Sequence, residues 1–375
     1  MVVGAGPAGL IAAREAARRG VDVLVLEEHA QIGLPVECAG LLSLRGLRAI
    51  GVHRARRRFV LNELRAATFY SPSGHELRVE APRPVACVVD RRELDVVLAE
   101  QASDAGARLE LGKLVKRLSF RPEGIELEGP WGSAKAELVI VAEGFRSRLV
   151  RQLGLRGLNW RGVLPASQVE VPASDVDEEG VEVHLGRRVA PGFFAWVIPL
   201  GDGVARVGLA CRGADPRRLL RAFLKRRFGL RGVRTAYSGS VLKCGPIPKT
   251  YAERALVVGD AAGQAKPTTG GGVVLGGICA SIAGKVAAEA VRAGDFSERF
   301  LSSYERGWRR LLGAEFSTMR AFRALLDIVP DGALDVAFEL ARWARLAERV
   351  PGIADMDFQS SLLRGLPRLL VPGGR

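Results

Sequence analysis

Apolar residues open the chain as an unbroken run, Met1-Val2-Val3, recur at helical spacing over residues 10–20 after a glycine-rich turn, and run on again over 21–26. A continuous short apolar run predicts a strand buried on both faces, and a recurrence every three to four residues predicts a helix. A further short apolar run at 85–89 reads as a strand, and those at 138–142 and 256–259 read as strands of the parallel sheet. Between them the pattern changes. Residues 64–79 alternate around Ser71-Pro72-Ser73-Gly74, a hairpin signal, and 108–118 with 124–127 read as a strand meander. Residues 164–171, 181–185, 194–199 and 204–210 predict an antiparallel sheet forming a second layer. Helices are predicted at 41–50, 91–105 and 217–228, and about three more from 296 onward. The run at 270–284 is uncharged but rich in glycine and closed by Lys285, so it reads as a buried helix. Because 256–259 returns to the parallel sheet, the first domain is discontinuous: 1–60 plus 84–150 plus 240–292. The antiparallel unit is 61–83 plus 151–239, and 293–375 is a C-terminal helical region. The fold class is α/β (α+β).

The first turn carries chemistry. Gly4-Ala5-Gly6-Pro7-Ala8-Gly9 is G-x-G-x-x-G set between a strand and a helix. In that setting Gly4 permits the tight turn, Gly6 lets backbone approach a pyrophosphate, and Gly9 lets the helix pack against its strand. The first N–H groups of the helix then face the phosphates. Glu27 ends the second strand, where a carboxylate accepts hydrogen bonds from a ribose and repels a 2′-phosphate. A dinucleotide site is expected here. The chain opens almost inside its first strand, so either the strand is clipped or the natural start lies upstream.

Composition narrows the class. The 375 residues suffice for two domains, and the mean hydropathy of +0.11 and 48% apolar content are those of a globular protein. No run reaches the roughly 18 to 20 apolar residues of a membrane span, and the opening strand leaves no signal peptide. The net charge of +14 is carried mostly by arginine, the first lysine being Lys113. Such a balance suits anionic membranes, nucleic acid, acidic partners or simply a solvated basic surface, for instance at Arg54, Arg56, Arg57 and Arg58. No nucleic-acid motif accompanies it, so nucleic acid is not an expected partner. Cys38, Cys87, Cys211, Cys244 and Cys279 are odd in number and widely spaced, and the four histidines show no ligand spacing. Metal sites and a disulfide framework are therefore not expected, and a reducing cytoplasm is.

A second turn decides between nucleotides. Leu256-Val257-Val258-Gly259-Asp260-Ala261-Ala262-Gly263 runs from a strand into Gly-Asp, and Thr269-Gly270-Gly271-Gly272 leads into a long helix. Ribityl hydroxyls of a flavin dinucleotide need a carboxylate acceptor, which Asp260 supplies. The ring carbonyl needs helix N-terminal N–H donors, which the turn from Gly271 to Val273 supplies. With Glu143-Gly144 after the strand at 138–142, and Arg91-Arg92-Glu93-Leu94-Asp95, the chain resembles the FAD-dependent family of aromatic-ring hydroxylases, flavin halogenases and geranylgeranyl reductases. The resemblance implies a Rossmann-like FAD-binding domain with an inserted antiparallel-sheet substrate domain. It implies FAD contacts at Gly4, Gly6, Ala8, Gly9, Glu27, Asp260, Gly271, Gly272 and Val273. Arg91 would serve the phosphate side, and Val115, on a strand, would make backbone contact with the adenine.

Two local features narrow the member. Pro35-Val36-Glu37-Cys38-Ala39-Gly40 is similar to the P-x-x-C-x-G loop of archaeal geranylgeranyl reductases, which implies Cys38, Ala39 and Gly40 beside the flavin and Cys38 as proton donor or positioning group, with Glu37 solvated. Phe194-Ala195-Trp196-Val197-Ile198-Pro199 resembles their Y-x-W-x-F-P element lining a lipid cavity, with Phe194 for Tyr and Ile198 for Phe. That implies Phe194, Trp196 and Pro199 as substrate residues, with Trp160 and Phe193 as further tunnel aromatics. The same six residues also resemble the halogenase signature W-x-W-x-I-P, but halogenases need an early lysine and none precedes Lys113. The expectation is an FAD-dependent reductase of geranylgeranyl chains in archaeal-type ether lipids, working peripherally at the inner face of the membrane. Trp308, Leu311 and Leu312 are its lipid-facing residues, and a ferredoxin or NAD(P)H is its electron donor. The alternatives are an aromatic monooxygenase and a flavin electron relay to a quinone.

Overall fold

The structure is a computed structural model that describes residues 1–36, 38–233, 237–349 and 355–360; Glu37 lies outside them. A six-stranded sheet runs in the order Tyr251–Ala252, Ala255–Val257, Val139–Val141, Val2–Val3, Leu24–Leu26, Arg108–Glu110. All neighbours are parallel except the outermost hairpin pair, and Val2 stands between Ile140 and Val25. The four inner strands are apolar throughout because both faces are covered, whereas the edge strand Arg108–Glu110 exposes its charged residues. The helices Pro7–Ala17, Arg91–Asp104 and Val273–Ala293 share one apolar cluster with the strands. The three-stranded meander Arg117–Arg121, Gly124–Gly129, Gly132–Ala136 contributes Leu118, Ile125 and Leu127 to a second cluster with the sheet.

Val273–Ala293 is long and apolar enough to cross a membrane, yet 67% of its most apolar window is buried inside the protein. Glycine makes that burial close: a Cβ on Gly284 would come within 2.4 Å of the Ala12 carbonyl. Its outer side is covered by Glu298–Ile328, and here the structure departs from the expected lipid face. Trp308 and Leu312 are each 1% exposed, and the Trp308 ring N–H donates to Thr250 Oγ1 at 3.0 Å. Of the three residues expected to face lipid, only Leu311 is exposed.

The second sheet has seven strands, Tyr237–Leu242, Val163–Pro172, Val204–Ala210, Ala195–Gly201, Gly180–His184, Ala66–Tyr70 and Glu76–Glu80. It is antiparallel save for one parallel pair, Gly180–His184 with Ala66–Tyr70, which the alternation alone did not distinguish. Leu220, Phe223 and Leu224 of helix Pro216–Phe228 cover one face. The other face meets a small sheet, Leu41–Ser43, Ala86–Val89, Val60–Leu64, that joins the two halves. The expected helix over 41–50 is thus a strand followed by helix Leu44–Ala49. Leu41 and Leu42 pair with Val88 and Cys87, and Ser43 Oγ accepts from Gly46 N at 2.7 Å to start the helix. The boundary at 60/61 falls within the strand Val60–Leu64, which pairs with Ala86–Val89.

Candidate active site

Both glycine turns lie at carboxyl ends of parallel strands, where open α/β sheets bind ligands. Gly4 has φ of +99°, and a Cβ there would stand 2.4 Å from the Ala142 carbonyl; on Gly9 it would stand 1.9 Å from the Gly4 carbonyl. These two glycines are needed for internal packing. Gly6 is different: a Cβ would meet nothing within 4 Å among the described residues. It caps Pro7–Ala17 without a side-chain hydrogen bond, and no acid sits in the first helical turn. Ala8 faces Gly259 of the second turn, whose Cβ would lie 2.7 Å away, so the two motifs touch. Glu27 is buried, and its Oε2 accepts from Ala5 N at 2.6 Å while Oε1 accepts from His29 N at 3.0 Å. The carboxylate therefore also braces the first turn.

The second turn is pinned from behind. Gln264 Oε1 accepts from Gly259 N at 2.9 Å, Gln264 Nε2 donates to Tyr304 Oη at 2.8 Å, and Tyr304 donates to the Val257 carbonyl at 2.9 Å. A Cβ on Gly272 would reach within 2.6 Å of Asp260 Oδ1, and one on Gly271 within 2.8 Å of Lys266 Cε. Gly272 precedes helix Val273–Ala293, again with no side-chain cap and no acid in the first turn. Burial pushes the Asp260 carboxyl above its ordinary range, and Arg91 pulls it back. Glu143 has a structural duty: its oxygens accept from Arg148, Leu149 and Val150 N at 3.0, 2.8 and 2.9 Å, at the start of helix Arg148–Gln152.

Arg91 begins helix Arg91–Asp104, which Asp90 caps by accepting from Arg92 and Glu93 N. Its Nη2 donates to Asp95 Oδ1 at 3.1 Å, and its Nε is buried with no partner among the described residues. Burial works against the guanidinium charge, but the Asp95 carboxylate, with the Cys38 sulfur, outweighs it and holds the proton firmly. Cys38, half-buried, accepts from Gly40 N at 3.5 Å. Gly40 has φ of +75°, which glycine adopts without strain. Val115 is buried but lies between the strands Arg108–Glu110 and Arg117–Arg121, not on a strand as expected.

Sequence reading missed what holds the cysteine loop. Gln168 Nε2 donates to the Cys38 carbonyl at 3.3 Å, and Arg206 Nη1 to the Ala39 carbonyl at 2.8 Å, with Arg206 also paired to Glu170 at 2.7 Å. Polar side chains inside otherwise apolar strands were the available signal. On the same face Phe193 stacks on Phe194 at 4.2 Å, and Phe194 meets Trp196 edge-on at 6.1 Å. These aromatics form one apolar cluster with Ala39 and Leu41. Pro199 is buried too, but strand alternation puts it with Ala195 and Val197, on the side covered by helix Pro216–Phe228. Trp160 is 48% exposed and packs edge-on to Phe145, so it is not part of this aromatic cluster.

The family model described as an FAD binding domain matches residues 1–217. Digeranylgeranylglycerophospholipid reductase 2 of Methanothermobacter thermautotrophicus is 38% identical over 89% of this chain and 89% of its own length. That of Methanopyrus kandleri is 37% identical over 84% and 83%. The chain belongs to this family of FAD-dependent reductases. A geranylgeranyl bacteriochlorophyll reductase-like protein from Thermoplasma acidophilum superposes with a TM-score of 0.88 at 26% identity, covering 98% of this chain and 96% of that one.

The residues of this reductase fit FAD. Two uncapped helix ends leave backbone N–H groups for anionic oxygens, and among the described residues nothing stands before Gly6 and nothing partners the buried Arg91 Nε. Gly6 and Arg91 would hold the phosphates, Asp260 the ribityl hydroxyls, and Gly271 to Val273 the ring. The chain is an FAD-dependent oxidoreductase.

Proposed function

We propose that this reductase hydrogenates the C=C bonds of geranylgeranyl chains in archaeal-type membrane ether lipids. The observation that carries the reading is the apolar face of Phe193, Phe194 and Trp196 meeting the Cys38 loop. An isolated alkene is unpolarised, so its reduction needs a hydride, a proton and a site without water. When bound and reduced, FAD supplies the hydride. The aromatic face holds the chain and excludes water. Cys38 Sγ holds the proton delivered to the other carbon, and Arg91 beside it offers the sulfur a charge partner once the proton has left. Gln168 and Arg206 keep the cysteine loop in place through its carbonyls.

The reading places the enzyme at a bilayer surface. Val336, Leu340 and Trp343 form an exposed stripe on helix Asp331–Trp343, beside exposed Leu325 and Ile328, and the net charge of +14 suits anionic lipid.

The test is anaerobic. Protein carrying FAD is reduced with dithionite, given a digeranylgeranyl glycerophospholipid, and the lipid is weighed by mass spectrometry. Products heavier by successive hydrogen pairs, with matching flavin reoxidation, are expected; Cys38→Ser should keep its flavin and lose about a hundredfold in rate. Replacing dithionite by reduced ferredoxin or by NADPH separates the two donors. Unchanged lipid, with aerobic consumption of NADPH and oxygen on small aromatics, would establish a monooxygenase instead.

A further inference from the structure

Three cations converge on one carboxylate beside the aromatic face. Lys243 Nζ is 2.5 Å from Asp327 Oδ2, Arg323 Nη2 is 2.6 Å from Oδ1, and Arg212 Nη2 is 3.9 Å from Oδ2. The Lys243 and Arg323 side chains are 3% and 8% exposed, whereas Arg212 reaches solvent at 53%. Among the described residues one carboxylate against three cations leaves an excess of two positive charges, and two of the cations are out of water, where uncompensated charge is costly. Burial lowers the hold of Lys243 on its proton; Asp327 opposes that, while Arg323 and Arg212 add to it. A second anion would relieve the imbalance.

The cluster is continuous with the apolar face. The Arg323 guanidinium lies 5.5 Å from the centre of the Phe193 ring, and Lys243 Nζ also donates to the Gly192 carbonyl at 3.3 Å. Phe193 leads to Phe194 and Trp196, and their apolar cluster reaches Ala39, next to Cys38. From Arg212 inward the side chains are first cationic, then aromatic, then apolar up to the cysteine. An anionic headgroup followed by a long hydrocarbon chain has the same profile.

We propose that Lys243, Arg323 and Arg212 bind the phosphate headgroup of the lipid, with Asp327 holding the cations together. The site rests on the reading of this chain as a prenyl-lipid reductase and sets which lipids enter with their chains toward Cys38. A phosphate monoester or diester supplies charge-assisted, bidentate contacts to arginine, which a neutral alcohol cannot. Inorganic phosphate shares that chemistry and must be told apart.

The test uses the full chain loaded with FAD and reduced anaerobically. It compares digeranylgeranylglyceryl phosphate with the same diether lacking phosphate. Wild type should prefer the phosphorylated lipid in kcat/KM by about tenfold or more, the worth of one charge-assisted contact. Arg323→Gln should lower that ratio about tenfold and Arg212→Ala about threefold. Arg212 is half-exposed, so its variant reports even if Arg323→Gln does not fold. A wild type without preference, or a ratio within twofold of wild type in Arg212→Ala, overturns the headgroup site while reduction of both lipids leaves the activity standing. Reduction of neither lipid overturns the activity and the site together. A melting-temperature rise with inorganic phosphate alone, lost in the variants while the lipid ratio stays flat, identifies a free-anion site and also overturns the proposal.

Discussion

Glu182 shows how single residues tie the second sheet to its helix. Its carboxylate takes His184 Nε2 at 2.7 Å and Arg227 Nη2 at 2.7 Å, with 6% of the residue exposed. Burial opposes its charge, but the hydrogen bonds from His184 and Arg227 prevail and bring the carboxyl down from 4.5 to about 2. A depressed carboxylate contributes stability that is full above its unfolded value and is lost as pH falls through the folded one. The acid limb should therefore lie between 4.5 and about 2. Glu182→Gln should cost about 3 kcal/mol at neutral pH and flatten that limb in urea titrations. An unchanged slope would remove Glu182 from the acid response. None of this was visible in the residue order, whereas Gly4 and Gly9 were, because their demands come from the turn itself and the strand beside it. Asp95 stood in the quoted Arg91 motif, yet its partnership with Arg91 needed the helix to form before it could be seen.

Among the elements, helix Asp331–Trp343 has two apolar sides. Phe338 and Ala341 are buried, Ala341 against Leu77 and Val79 of the edge strand Glu76–Glu80. Asp335 accepts from Ser73 N at 3.0 Å and Asp331 from Arg187 N at 3.1 Å, which fixes the helix on the hairpin and leaves Val336, Leu340 and Trp343 outward. Trp343→Glu with Leu340→Glu should abolish co-sedimentation with anionic phospholipid vesicles and shift the melting temperature by less than about 2 °C, as exposed positions do. Full vesicle binding by this variant would overturn the proposed bilayer face. The amphipathic pattern of the C-terminal helices points to Trp308, Leu311 and Leu312 for that duty, and only Leu311 of these is exposed. On a long helix such a pattern shows that an apolar stripe exists, while the neighbouring elements determine whether the stripe is covered. The same holds for residues 41–50, where pairing of Leu41 and Leu42 with Val88 and Cys87 displaced a locally acceptable helix.

Across the whole molecule, residues 355–360 cross back over the cofactor domain. Lys266 Nζ pairs with Asp357 Oδ1 at 2.7 Å, both side chains almost wholly buried, and Ser43 Oγ donates to the other carboxylate oxygen. Lys266 belongs to the second glycine turn, its N–H donating to the Gly271 carbonyl at 3.0 Å, and Met356 packs on the apolar cluster of the second sheet. Removing one partner leaves a buried charge alone, so Asp357→Ala should cost about 3–5 kcal/mol and weaken flavin retention. Lys266→Met with Asp357→Leu should recover most of the melting temperature; no recovery would show that the hydrogen bond to Ser43 dominates. The order of residues by itself determined the two strand–turn–helix units, the FAD chemistry they imply and the return of residues 256–257 to the parallel sheet, because periodicity, glycine freedom and helix-end donors act within a few residues. Only the tertiary structure decided that Gln168 and Arg206 hold the carbonyls of Cys38 and Ala39, 130 and 167 residues away in sequence, and that Asp357 meets Ser43 across 314. Such partners are set by how sheets and helices pack, and no local spacing records them.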